Sequence, residues 1–188
     1  MTLFRTVEPA LEPVTLLEAK QELRIEHDAD DALISALIRA AREEFEASTA
    51  MALIDQHWRL ALDRWPRGGV VLLKRGPVKE VTSVTVYGFD GEAMVLDPGS
   101  WQADLTGGRV HLRERPGPGL ALNGIEIDFR AGFGEAGTDV PDLPKRAILK
   151  LVAHWYEFRA AFGAADQPVS FPPGYDRLIA SCRRPRLA

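Results

Sequence analysis

The chain predicts an α+β fold: terminal helices packed as a bundle, an antiparallel β-rich insert and an extended C-terminal hook. Three observations carry this. Apolar residues recur every three or four positions near both ends of the chain. Between about residues 56 and 131 they recur every second position. The strand-like runs are separated by glycine- and proline-rich turn material, such as Pro66-Arg67-Gly68-Gly69 and Pro116-Gly117-Pro118-Gly119. The expected organisation is an N-terminal arm (1–13), a helical bundle domain (14–55 and 140–163), a β-rich insert (56–131) and a C-terminal tail (164–188).

The elements follow in order. Pro9 and Pro13 make the first 13 residues an extended arm. Thr15-Leu16-Leu17-Glu18 is a capping box: Thr15 accepts from the Glu18 amide and Glu18 reaches back to the Thr15 amide, starting a helix at Leu16 that runs to about Ile25. Asp28 offers a second N-cap. Ile34, Leu37, Ile38, Ala41, Phe45 and Ser48 then form one stripe on a helix over about 29–49, with Asp30 and Asp31 in its favourable first turn. Strands are expected around Trp58–Leu62, Val70–Leu73, Val84–Val86, Val110–Leu112 and Ile125–Phe129, six or seven in all, with Asp90-Gly91 as a hairpin turn. After Pro141 a second stripe (Ile148, Leu151, Val152, Trp155, Phe158, Phe162) gives a helix that Gly163 ends. Phe171-Pro172-Pro173-Gly174 breaks the chain. Tyr175, Leu178 and Ile179 then supply a short amphipathic turn before Arg183, Arg184 and Arg186.

Composition narrows the function. The 188 residues are 46% hydrophobic and 27% charged, a globular balance, with net charge −4. A mildly acidic whole argues against bulk binding to nucleic acid or anionic membrane. The single cysteine, Cys182, excludes an internal disulfide or a cysteine-built zinc site. No apolar run reaches membrane-span length, and the N-terminus lacks a basic region followed by an apolar core, so neither a span nor a signal peptide is expected.

Chemistry-bearing patterns are weak. His27, His57, His111 and His154 have no metal-ligand spacing. Cys182 lies beside Arg183 and Arg184, which favour a thiolate, but no general base is in view. Gly132-Phe133-Gly134 and Gly107-Gly108 fit no phosphate-binding loop. Asp30, Asp31, Glu43 and Glu44, interleaved with Arg39 and Arg42, read as a solvated helix face. The expectation is no catalytic, cofactor-binding or metal residue. The Arg-rich tail reads on the residues alone either as a segment that docks to a partner, with Tyr175, Leu178 and Ile179 as apolar anchors, or as a solvated terminus.

Here the chain resembles a known family. VTLLEAKQELRIEHDADDALISALIRAAREEFE (14–46) resembles the opening of the head–tail connector (adaptor) proteins of tailed bacteriophages and phage-derived gene transfer agents, matching at Lys20, Leu23, Arg24, Asp30, Asp31, Ile34, Ile38 and Ala41. HWRLALDRW (57–65), GPVKEVTSVTVY (76–87) and Asp90-Gly91 resemble its β-insert. VPDLPKRAILKLVAHWYEFR (140–159) and the closing FPPGYDRLIASCRRPRL resemble its second helical block and its ending. The departures are Cys182, where the family often has an aromatic residue, and the extra tail arginines.

The resemblance implies a structural protein of a virion or gene-transfer-agent neck, assembled in the bacterial cytoplasm, with no cofactor. It implies a homo-oligomeric ring of twelve subunits between the portal protein and a stopper or tail-completion protein. DNA would pass through the lumen without sequence-specific binding. Tyr175, Leu178, Ile179, Arg183, Arg184 and Arg186 would then bind the portal. Leu33, Ala36 and Ala40 would lie at the ring interface, since a ring built by rotation needs two different faces per subunit. Two other readings stand beside this one: an α+β enzyme or ligand-binding module with a site in the β-rich insert, and a DNA-binding protein using the arginine tail.

Overall fold

The computed structural model describes residues 1–158 and 170–183. The chain forms two compact units, and neither is continuous in sequence. The first takes residues 1–10 and 55–133, the second residues 11–54 and 134–188.

The first unit is built from eight strands among the described residues: β1 (Thr2–Val7), β2 (Gln56–Leu62), β3 (Val70–Leu72), β4 (Val78–Tyr87), β5 (Ala93–Val95), β6 (Trp101–Asp104), β7 (Arg109–Leu112) and β8 (Ile125–Ala131). They make a five-stranded sheet in the order β1-β2-β8-β4-β5 and a three-stranded sheet in the order β3-β7-β6, antiparallel throughout. The period-two pattern sets the register. Trp58 faces Phe129 and Leu60 faces Ile127 across β2–β8, so the apolar side of every pair falls on one buried face. Val71, Val110 and Leu112 do the same for the smaller sheet. Asp90-Gly91 does turn the β4–β5 hairpin, with Gly91 at φ 82°.

Two expectations are corrected here. The N-terminal segment is not an arm over its whole length, because Thr2–Val7 pairs with β2 as the edge strand of the five-stranded sheet. The strand count is also higher and is split between two sheets. The missed strands β1, β5 and β6 lie at sheet edges, where exposure blurs the alternation. Trp58 fastens the first of these. Its ring lies between the guanidinium of Arg5 on β1, 5.7 Å from the centroid, and that of Arg75 just beyond β3, at 4.7 Å. Arg5 also donates to the buried Gln56 at 3.1 Å.

The second unit is helical: α1 (Leu16–Leu23), α2 (Asp31–Thr49), α3 (Asp142–Phe158) and α4 (Tyr175–Cys182). The capping box is present with both reciprocal bonds. The first helix stops earlier than expected because Arg24 takes a left-handed conformation, and its amide bonds back to Gln21. Asp28 does not cap α2. Asp30 occupies that position with no side-chain cap, because both Asp28 and Asp30 have other partners, described below. Ile34, Ile38, Ala41 and Phe45 of α2 are fully buried, as are Ala147, Ile148, Leu151 and Val152 of α3. These two stripes form the seam of the bundle. The expected ending of α3 at Phe162 and Gly163 lies outside the described residues.

Replacing Trp58 with alanine should lower stability by about 3–5 kcal/mol, while phenylalanine should recover most of the loss. Urea unfolding followed by circular dichroism checks this; equal losses for both variants would mean that the indole, not the aromatic stack, matters.

Candidate interaction surfaces

In the helical unit, most motif charges turn out to hold the chain to itself. Glu18 completes the capping box by accepting from the Thr15 amide at 2.7 Å, and its other oxygen accepts from Lys145 of α3 at 2.7 Å. Burial alone would raise the Glu18 pKa, but the Lys145 and Thr15 hydrogen bonds outweigh it and leave the group below its ordinary value. Lys20 donates to Asp28 at 2.6 Å and to Asp31 at 2.8 Å, tying α1 to the start of α2. Those bonds raise the Lys20 pKa and lower that of Asp28. Asp30 accepts from the Tyr156 hydroxyl of α3. Buried Arg42 donates to Glu12 at 2.8 Å and to Glu46 at 3.2 Å, and Glu46 also accepts from the Leu53 amide at 2.8 Å. The face expected to be solvated is therefore only partly so: Arg42 and Glu46 are core.

Leu33, Ala36 and Ala40 lie on the exposed side of α2, opposite the buried stripe. They form an open apolar row, bordered by exposed Ala47 and Glu43.

The expected hook needs correction. Tyr175 is 2% exposed and Ile179 4%, because residues 175–182 form α4, whose apolar face packs on α2 and α3. The chain buries these two anchors itself; Leu178 is half-buried. The approach to α4 is also held. Trp155 donates to the Ser170 carbonyl at 3.0 Å, His154 is 2.9 Å from the Ser170 hydroxyl, and Phe171 stacks on Tyr175 with 5.4 Å between centroids. Burial, helped by nearby Glu44, pushes the Tyr175 phenol well above its ordinary pKa. That hydroxyl has no hydrogen-bond partner among the described residues. Exposed Arg183 donates to the Ser48 carbonyl at 3.1 Å, a cation at the carbonyl end of α2. Arg184 and Arg186 lie outside the described residues.

The open face of the five-stranded sheet carries charges that answer one another. Arg59 on β2 bonds Asp128 of β8 through two contacts, 2.7 and 2.9 Å, and pairs with Glu126 at 3.0 Å. The Asp128 hydrogen bond drives the Arg59 pKa above its ordinary value. Glu126 also accepts from the Tyr87 hydroxyl at 2.8 Å, which raises the Tyr87 pKa, and Ser83 donates to Asp128 at 3.2 Å. Asp55 receives Lys79 and Arg130. These contacts bind β2, β8 and β4 in register. Sequence reading missed them, since strand alternation shows which residues share a face but not which strands are neighbours.

This arrangement offers little to an enzyme. Both carboxylates on β8 are held by Arg59 on an open sheet face, where they also accept from Ser83 and Tyr87. Among the described residues, no three His, Cys, Asp or Glu side chains converge on a metal-sized site. Burial raises the Cys182 pKa, against a thiolate. A groove of about 430 Å³ opens on the helical unit between Leu11, Val14, Leu16 and Ile38; Glu18 and Lys145 on its wall neutralise each other. No described helix is long and apolar enough to cross a membrane.

Comparison with known proteins agrees with this picture. Residues 13–71 match the family model of the phage gp6-like head-tail connector protein, which bears out the resemblance read from the sequence. Among solved structures, the chain is similar to one from the neck of an empty gene transfer agent (GTA) particle computed with C6 symmetry, with TM-score 0.82 and 29% identity over 100% of this chain and 98% of that one. It is also similar to a chain from the virion of a native GTA particle, with TM-score 0.81 and 28% identity over the same shares. A third, from the neck of a native GTA particle computed with C12 symmetry, has TM-score 0.75 and 29% identity, again over 100% and 98%. No curated protein sequence matches.

Two outcomes follow from the geometry. Glu18 and Asp28 titrate below their unfolded values of about 4, so their stabilisation is complete above that pH and lost as pH falls further. Lys20→Met should therefore lower stability at pH 7, and its deficit against the natural chain should shrink below about pH 4; urea titrations at several pH values read this, and a pH-independent deficit would remove the ion pair as its cause. Tyr175→Phe should raise stability by about 1 kcal/mol, since a buried hydroxyl without a partner is costly. A lower unfolding midpoint in that variant would show that the hydroxyl is satisfied.

Proposed function

We propose that this chain is a head–tail connector in the neck of a tailed-phage-like or gene-transfer-agent particle, with a structural rather than an enzymatic role. The observation that carries the reading is the near-complete mutual coverage, at 28–29% identity, with chains from GTA necks and a GTA virion. Both units take part in that similarity, so it is not a shared bundle alone.

In this reading the subunits form a twelve-fold ring, in keeping with the C6 and C12 symmetry of the similar assemblies. One end of the ring meets the portal and the other the stopper or tail-completion protein, and DNA crosses the lumen without sequence-specific contact. Leu33, Ala36 and Ala40 contribute to the ring contact; their exposure supports this. The portal contact is made by Arg183, Arg184 and Arg186 with the open edge of Leu178. Tyr175 and Ile179 join it only when α4 leaves α2 and α3. The Tyr175 hydroxyl, which has no hydrogen-bond partner among the described residues, supports such a release, because it makes the docked state of α4 less favourable than its apolar burial alone would suggest.

The test is cosedimentation of the full chain with the purified portal ring of the same particle. The natural chain should bind, and reversing all three charges (Arg183→Glu, Arg184→Glu, Arg186→Glu) should weaken binding at least tenfold. Unchanged binding in the variant would move the docking surface off the tail. Failure of the natural chain to bind a well-formed portal would overturn the connector role.

A further inference from the structure

A ring generated by rotation joins two different faces of each subunit. The exposed row on α2 is the candidate for one; the three-stranded sheet has an open face of different chemistry. Along β7 the buried residues are Val110 and Leu112, so Arg109 and His111, and Arg113 just beyond, line the open side. Register places Leu72 beside Arg109 and Val70 beside His111. Leu72 is 61% exposed and Val70 37%. Arg109 is partly neutralised by Asp104 of β6, and Arg113 has a long contact, 3.5 Å, to the Gly99 carbonyl. The result is a flat face with an aliphatic edge and a basic centre. Aliphatic residues beside arginine suit a protein partner better than a phosphate backbone, for which Val70 and Leu72 have no use.

The opposite chemistry lies on the helical unit. Residues 11–54 hold four Lys and Arg against ten Asp and Glu, a net of 4 − 10 = −6. Many of these charges are answered inside the unit: Lys20 holds Asp28 and Asp31, Arg42 holds Glu12 and Glu46, and Lys145 holds Glu18. Glu22 and Glu26 are exposed, as is the apolar row on α2. Beside the row itself stand exposed Glu43, one turn beyond Ala40, and exposed Arg39; the net acidity of the segment is what complements the sheet face.

We propose that the open face of the β3-β7-β6 sheet, with Val70, Leu72, Arg109, His111 and Arg113, receives the acidic α1–α2 segment of an adjacent copy, packing against Leu33, Ala36 and Ala40. This rests on the ring reading and goes beyond it by naming the counterface. The contact is heterologous and leaves one face free at each end of any incomplete assembly, so it propagates from copy to copy until the ring closes.

The test uses the full chain with Cys182→Ser, carrying Leu72→Cys, Ala36→Cys or both, assembled on its portal and treated with a short bis-maleimide. All three positions are half- or fully exposed, so folding should survive. A ladder of dimers and higher multimers on a denaturing gel in the double variant alone is the expected result. Monomers only, with rings visible by electron microscopy, would overturn the pairing. A ladder from Leu72→Cys alone would replace it with a sheet-to-sheet contact. Salt-steep binding of duplex DNA that Arg113→Glu abolishes, without a ladder, would reassign the face to phosphate. Absence of rings from the natural chain on a well-formed portal would instead remove the ring reading itself.

Discussion

The helical unit depends on closing two chain segments that residues 55–133 hold apart in sequence. Its apolar seam, Ile34, Ile38, Ala41 and Phe45 against Ala147, Ile148, Leu151 and Val152, supplies the driving force, but such a seam can slide. Two polar contacts prevent that. Glu18 with Lys145 and Asp30 with Tyr156 join the start of the unit to its return at separations of 127 and 126 residues. They sit at opposite ends of α3, so together they set both its position and its direction. Because the closure cost grows only slowly with loop length, the large sheet unit between the segments is tolerated once it folds on its own.

The same contacts explain why the resemblance to head–tail connectors is concentrated where it is. Lys20, Asp30 and Asp31, which carry the opening motif, are placed by structure rather than by any partner: Lys20 clasps Asp31, and Asp30 holds Tyr156 of the second helical motif. Asp28 shares the lysine, which is why it is not free to cap α2. The two motifs are halves of one set of contacts. The motif residues thereby fix α1, α2 and α3 against one another.

Charge is divided between holding and meeting. In the sheet unit, Arg59, Asp128, Glu126 and Tyr87 answer one another across three strands, and Asp55 pairs with Lys79 and Arg130. That leaves the smaller sheet, with Arg113 and His111, as the basic surface, while exposed acids gather on α1 and the turn that follows it. Surface pairs of this kind contribute little each to stability, and charges left open on a surface act more on how partners orient than on how tightly they bind.

Much was determined by the sequence itself. The capping box at Thr15, the stripes of α2 and α3, the period-two strands and the Asp90-Gly91 turn are local signals, written within a few residues, and the backbone obeys them. Apart from the end of α1 at Arg24 and the cap of α2, what it left undecided was non-local. The pairing of Thr2–Val7 with β2, the partition of eight strands into two sheets and the link from Arg59 to Asp128 depend on which strands become neighbours, and alternation is silent on that. The fate of Tyr175 and Ile179 is the clearest case. Their spacing on α4 declared an apolar face that needed covering, but whether the chain's own α2 and α3 or another protein would cover it is a competition between surfaces. Only the tertiary structure, by bringing α2 and α3 within reach, decided it.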